Sequence, residues 1–112
     1  MKKFQLGEFE EIVLLTIGIL KGEGYGVSIR REIEFRLDRT VSFGALHTAM
    51  ERLEEKGYIS SHDGKPTEER EGRPRRYVEI TPLGVKAMTH SKDTRDSLWK
   101  ALPKNIAGIS KA

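Results

Sequence analysis

Apolar residues fall into separated blocks along the chain, and the spacing within each block differs. In residues 8–21, Glu8, Glu10 and Glu11 stand where acids favour a helix N-terminus. The body that follows (Phe9, Ile12, Val13, Leu14, Leu15, Ile17, Ile19, Leu20) is apolar on almost every side. Such a helix cannot face water freely, so it lies between the core and a second surface, either another subunit or more of the same monomer. Lys21-Gly22-Glu23-Gly24 breaks it. A second helix is predicted from Tyr25 or Gly26 to about Leu37, because Tyr25, Ile29, Ile33 and Leu37 recur every four residues. Thr40 or Ser42 caps a third, in which Phe43, Leu46, Ala49, Met50 and Leu53 form one buried stripe before Lys56-Gly57 ends it.

Two short β-prone segments come next, Tyr58-Ile59-Ser60 and Arg76-Tyr77-Val78-Glu79-Ile80. Between them the stretch from His62 to Pro74 is rich in Gly, Pro and charge, which predicts a hairpin with a long mobile tip. Thr81-Pro82 supplies an N-cap and a proline at the first helical position, opening a last helix to about Leu102, where Pro103 stops it. At about 1.5 Å per residue that helix is roughly 30 Å long. The expected fold is mainly α with a small β-hairpin: a winged helix-turn-helix over residues 1–81, a separate C-terminal helix over 82–102 and a flexible tail over 103–112. In that tail Ile106 and Ile109 are the docking candidates.

Composition narrows the chemistry. None of the 112 residues is cysteine, which excludes disulfides, Cys-ligated zinc, iron–sulfur clusters and thiolate catalysis. The charge of +3 is mild, so where the bases lie matters more than their sum. Met1-Lys2-Lys3 followed by the apolar run from Ile12 to Leu20 superficially resembles a secretory signal, but three glutamates interrupt it and no small-x-small cleavage site follows. The run is also far short of the ~20 apolar residues that span a bilayer. A cytoplasmic protein without a membrane partner is expected. His47, His62 and His90 lack metal-ligand spacing, and no phosphate-binding glycine loop is present, so neither an enzyme nor a cofactor is expected.

The third helix carries the informative face. At 100° per residue, Ala49, Met50 and Leu53 lie within about 60° of Leu46, leaving Gly44, His47, Thr48 and Glu51 on the outer half. Gly44 admits a close backbone approach, Ser42 and Thr48 bond phosphate or base edges, and His47 donates to guanine N7 or O6 or to a phosphate. Glu51, Glu54 and Glu55 repel phosphate, which confines DNA contacts to the first part of a segment spanning residues 42 to 52 and including Arg52. In the hairpin, Lys65, Arg70, Arg73, Arg75 and Arg76 outnumber Glu68, Glu69 and Glu71, and the arginines gather at Gly72-Arg73-Pro74-Arg75-Arg76. Guanidinium groups there suit phosphate clamping or a narrow minor groove. The bland alternatives are a solvated helix face and a solvated charged loop. The functional alternative is a winged helix that binds another protein, which steep salt dependence of duplex binding distinguishes from a DNA binder.

The runs Leu46-His47-Thr48-Ala49-Met50-Glu51-Arg52-Leu53-Glu54-Glu55-Lys56-Gly57-Tyr58-Ile59, Gly72-Arg73-Pro74-Arg75-Arg76-Tyr77 and Ile80-Thr81-Pro82-Leu83-Gly84 are similar to the signature of PadR-family transcriptional regulators. Tyr25-Gly26-Val27-Ser28-Ile29 and Leu6-Gly7-Glu8-Phe9-Glu10 match that family's earlier helices. The resemblance implies a homodimeric repressor whose third helix (Ser42, Gly44, His47, Thr48, Arg52) reads the major groove of double-stranded DNA while Arg73, Arg75 and Arg76 hold the flanking backbone or minor groove. It further implies that the last helix (Met88, Leu98, Trp99) pairs with the first (Phe9, Val13, Ile17) across the dimer. Two-fold symmetry then requires an inverted-repeat operator. Two positions depart from the pattern: His47 stands where members usually carry tyrosine, and Val78 where a second aromatic often follows Tyr77. The last helix is short for the family, as in its compact branch, where aromatic residues of this helix meet their symmetry mates around flat apolar effectors. Trp99 and Leu98 are the candidate effector pocket here, and dimer packing is the plainer role for the same side chains.

Overall fold

In a computed structural model, residues 4–64 and 74–106 are described, and they form α1 (Glu8–Ile19), α2 (Gly26–Leu37), α3 (Phe43–Glu55), β1 (Ile59–Asp63), β2 (Arg76–Ile80) and α4 (Pro82–Ala101). This is the expected mainly helical winged helix-turn-helix with a C-terminal helix. Local chemistry accounts for each boundary. Glu10 at the start of α1 accepts the Gly7 N–H at 3.2 Å, and Ser28 does the same for the Tyr25 N–H at 3.0 Å at the start of α2. Lys21 and Gly22, both at positive φ, turn the chain out of α1, and Asp38 at φ 50° ends α2. Of the two proposed caps of α3, Ser42 is the one used: its Oγ accepts the Ala45 N–H at 3.1 Å.

The helix-turn-helix turn is pinned by a side chain. Glu34, in the last turns of α2, accepts the Val41 N–H at 2.8 Å, with Arg30 Nε 3.4 Å from the same oxygen. The Val41 hydrogen bond, aided by the Arg30 charge against the cost of burial, holds the Glu34 carboxyl below its ordinary value. Val41 itself is buried. The carboxylate thus fixes how far α3 swings from α2.

β1 and β2 pair antiparallel with Ile59 opposite Ile80 and Asp63 opposite Arg76. Strand β1 begins one residue later and runs three residues further than the apolar pattern predicts, because Ser61, His62 and Asp63 gain backbone partners on β2 without having apolar side chains. Gly24 adds an isolated bridge to Val78, so the α1–α2 connection lies against the wing. Residues 65–73, the expected mobile tip, and 107–112, most of the expected tail, are outside the described residues. Thr81 Oγ1 accepts the Gly84 N–H at 3.0 Å and donates to the Gly57 carbonyl at 2.6 Å, joining the cap of α4 to the turn after α3.

Leu14, Ile17, Ile29, Ile33, Leu46 and Leu53 are essentially inaccessible and make the core where α1, α2 and α3 meet. Each contributes about 1.5–3 kcal/mol through burial. Four stripe positions behave otherwise, Met50 among them being only half-buried. Leu37 is nearly half exposed because α2 runs past the edge of the core, Tyr25 is only half-buried at its start, and Phe43 is half exposed with the Arg30 guanidinium 4.4 Å from its ring centre. Glu10 and Glu11 are buried rather than solvated. Glu10 sits 2.6 Å from Lys56 Nζ, tying α1 to the end of α3, and Glu11 sits 2.6 Å from Arg95, tying α1 to α4.

Candidate nucleic-acid interface

Helix α3 buries Leu46, Ala49 and Leu53 and leaves Ser42, Gly44, His47, Thr48, Glu51 and Arg52 exposed, which is the two-faced arrangement expected. A Cβ built on Gly44 meets nothing within 4 Å, so open space lies in front of the first turn. Ser42 serves the cap, and its hydroxyl hydrogen stays available to an acceptor outside. His47 Nε2 lies 3.0 Å from Glu51 Oε1, one turn on. Arg52 is less free than expected: its guanidinium lies 4.0 Å from the buried Glu10 carboxylate, which Lys56 also meets. The C-terminal half of α3 is therefore anchored to α1, while its N-terminal half carries small and polar groups facing outward.

The hairpin arginines separate by the alternation of β2. Arg76 points outward, 3.8 Å from Glu54 and 4.0 Å from Asp63, with two thirds of its side chain exposed. Arg75 is half-buried, its guanidinium 4.6 Å from the Tyr25 ring centre. Tyr25 in turn meets Tyr77 edge-on at 5.6 Å, and His62 stacks on Tyr77 at 5.9 Å. Arg73, Lys65, Arg70, Glu68, Glu69 and Glu71 lie outside the described residues. Between α3 and the hairpin runs an open furrow of about 550 Å3, floored by Leu46, Met50, Ile59 and Val78 and rimmed by His47, Glu51, Glu54 and Arg76.

Sequence reasoning missed Glu34 as the pin of the turn, the Tyr25–Tyr77–His62 array, and the two buried glutamates. The Arg30–Glu34 spacing of four was legible as a helical pair, but the Glu34–Val41 bond crosses a turn and carries no periodic signal. Glu10 and Lys56 are 46 positions apart, beyond any local pattern.

Of the residues expected at a dimer interface, Val13 and Ile17 pack wholly inside this chain's own core, and Phe9 and Met88 are half-buried against it. Leu98 and Trp99 are 65% and 56% exposed, and α1 leaves Leu15 and Ile19 nearly half exposed. Arg95, Leu98, Trp99 and Leu102 border a hollow of about 150 Å3, below the ~300–1,000 Å3 of small-molecule pockets. Among the described residues there is no group of three or more metal-ligating side chains, and no helix is long and apolar enough to cross a membrane.

The profile of the transcriptional regulator PadR-like family matches residues 14–90. The chain belongs to that family. Solved structures agree with the PadR-like assignment. A transcriptional regulator from Clostridium thermocellum is 29% identical, with a TM-score of 0.67 over 81% of this chain and 85% of its own. A PadR-like transcription factor from Bacteroides fragilis is 22% identical, with a TM-score of 0.67 over 80% and 82%. A PadR-family regulator from Eggerthella lenta is 20% identical, with a TM-score of 0.68 over 88% and 86%. The last two likenesses show the fold alone. No curated protein matches the chain significantly. This PadR-like protein is accordingly a DNA-binding transcriptional regulator rather than an enzyme, and the resemblance carried by its α3 and hairpin motifs is correct.

Proposed function

We propose that this PadR-like protein is a homodimeric, sequence-specific repressor acting in the cytoplasm on an inverted-repeat operator. Each subunit places the N-terminal half of α3 in a major groove, with Ser42, Gly44, His47 and Thr48 against bases and backbone. Arg76 takes the flanking phosphate. Arg75, its guanidinium 4.6 Å from the Tyr25 ring centre, steadies the base of the wing, Arg73, outside the described residues, is the third arginine of the clamp, and Arg52 closes the far end of α3. The observation that carries this reading is the division of α3. Its acidic and anchored part lies at the C-terminal end, where Arg76 meets Glu54, and its exposed N-terminal part carries Gly44 and His47 along the same furrow that Arg76 borders.

Residues 1–81 make the DNA-binding unit and residues 82–102 the dimerisation helix, with 103–112 as tail. Leu98 and Trp99 of α4, together with Leu15 and Ile19 of α1, form the apolar surface that a second copy covers. A flat apolar effector would lie against Trp99 and Leu98, in a pocket that needs the second subunit because the single chain encloses only about 150 Å3 there.

The test is an anisotropy titration of the full chain against the duplex upstream of its own gene and a scrambled duplex, each at low and moderate salt. Tighter binding to the native duplex that weakens with salt is expected. Absence of binding to either at low salt overturns the proposal in favour of a protein-binding winged helix.

A further inference from the structure

We propose that Phe43 is a base-reading residue that recognises thymine through its methyl group. This rests on the reading of α3 as the helix that enters the major groove. Phe43 is the first residue of α3, directly after the Ser42 cap. Cα–Cβ bonds in a helix tilt toward its N-terminus, so a side chain at this position projects past the helix start, where a groove-entering helix meets base edges. Of the α3 apolar stripe, Leu46, Ala49 and Leu53 lie in the core and Met50 packs against it, whereas the Phe43 ring is 50% exposed.

The surroundings of the ring hold it without covering it. The Arg30 guanidinium lies over it, 4.4 Å from its centre, and Arg30 Nε is 3.4 Å from the Glu34 oxygen that accepts the Val41 N–H. The ring is thereby linked to the carboxylate that pins the α2–α3 turn. Phe43 borders the furrow together with Gly44 and His47, and open space lies in front of Gly44, so the next residue adds no side chain between the ring and a groove floor. In the major groove every base presents polar donors or acceptors, and thymine adds an apolar group, the C5-methyl. A phenyl ring set against the polar edges displaces water and returns no hydrogen bond, which is a net cost. Set against the thymine methyl, the same ring buries apolar surface on both partners. The hydroxyl of Ser42 and the imidazole of His47 do not supply such a contact.

The experiment starts with selection of a site by the full chain from a pool of duplexes with random cores. Each thymine of the selected site is then replaced singly by deoxyuridine, which removes the methyl and leaves the hydrogen-bonding edge unchanged. Anisotropy titrations compare the wild type with Phe43→Ala and Phe43→Leu, and circular dichroism confirms that these exposed substitutions leave the fold intact. At one thymine or more, loss of the methyl should weaken the wild type about fourfold, the worth of one buried methyl. Phe43→Ala should bind the thymine and deoxyuridine duplexes equally at that position, while Phe43→Leu, still apolar, should keep a preference for thymine. At the same position 5-methylcytosine should bind better than cytosine to the wild type and not to Phe43→Ala. A site with no thymine sensitive to loss of its methyl, or a sensitivity unchanged in Phe43→Ala, overturns the proposal while leaving sequence-specific binding intact. A wild-type pool with no enriched sequence removes the reading of α3 and this inference together.

Discussion

Gly84 illustrates how closely single residues are constrained where elements cross. A Cβ at this position would overlap the Tyr58 carbonyl and press on Ile80 Cγ2 at 2.8 Å. Alanine normally gains about 1 kcal/mol over glycine inside a helix. Overpacking typically costs about 1–3 kcal/mol, and here the obstacle is backbone, which moves less readily than a side chain. Gly84→Ala should therefore destabilise the protein in urea unfolding, and a more stable variant would contradict the close approach. On the interface, Arg76→Ala should weaken binding to all duplexes about equally and lower the salt slope by about one. Thr48→Ala should instead alter preference among sequences. Uniform losses from both in anisotropy titrations would show that reader and clamp are misassigned.

At the scale of elements, the Glu34 carboxylate sets the α2–α3 turn, and its protonation should be visible in stability. Its folded value is lowered, chiefly by the Val41 N–H, so its contribution is fully present above the unfolded value of about 4.3 and is lost as pH falls through the folded one. Urea unfolding between pH 3 and 6 should show this loss in the wild type and a shallower acid limb in Glu34→Gln; identical limbs would contradict it. The elements themselves were legible because caps and periodicity are local: Ser42, Thr81-Pro82 and the four-residue stripe of α2 mark their helices without tertiary information. The outward face of α3 was legible for the same reason. What was not legible depends on contacts between distant residues. Val13 and Ile17 differ from Leu15 and Ile19 only in which side of an all-apolar helix meets α2 and α3, and no pattern within α1 distinguishes them. Arg75 and Arg76 are likewise adjacent arginines whose different surroundings come from strand alternation and from Tyr25, which the topology brings beside β2.

For the molecule as a whole, α4 is the element least satisfied by its own chain. It fully buries only Gly84 and Ala87, packs Met88 half-buried against the core, and is tied to α1 by the Glu11–Arg95 pair. A helix of 20 residues with Leu98 and Trp99 exposed near its end calls for a partner. Light scattering should give about 25 kDa, twice the 12.7 kDa chain, and Leu98→Asp combined with Trp99→Ala should lower the mass toward one chain. A wild-type monomer at micromolar concentration would leave these side chains unexplained. The paired copies would also set the geometry on DNA, since two α3 helices related by a two-fold axis meet half-sites about one helical turn, or a multiple of it, apart. The most direct measurement is a hydroxyl-radical footprint of the full chain on the duplex upstream of its gene. Two protected patches related by a two-fold axis at that spacing are predicted, both weakened by Arg76→Ala. A single unsymmetrical patch, or no protection at low salt, would contradict a dimeric regulator that reads an inverted repeat through α3.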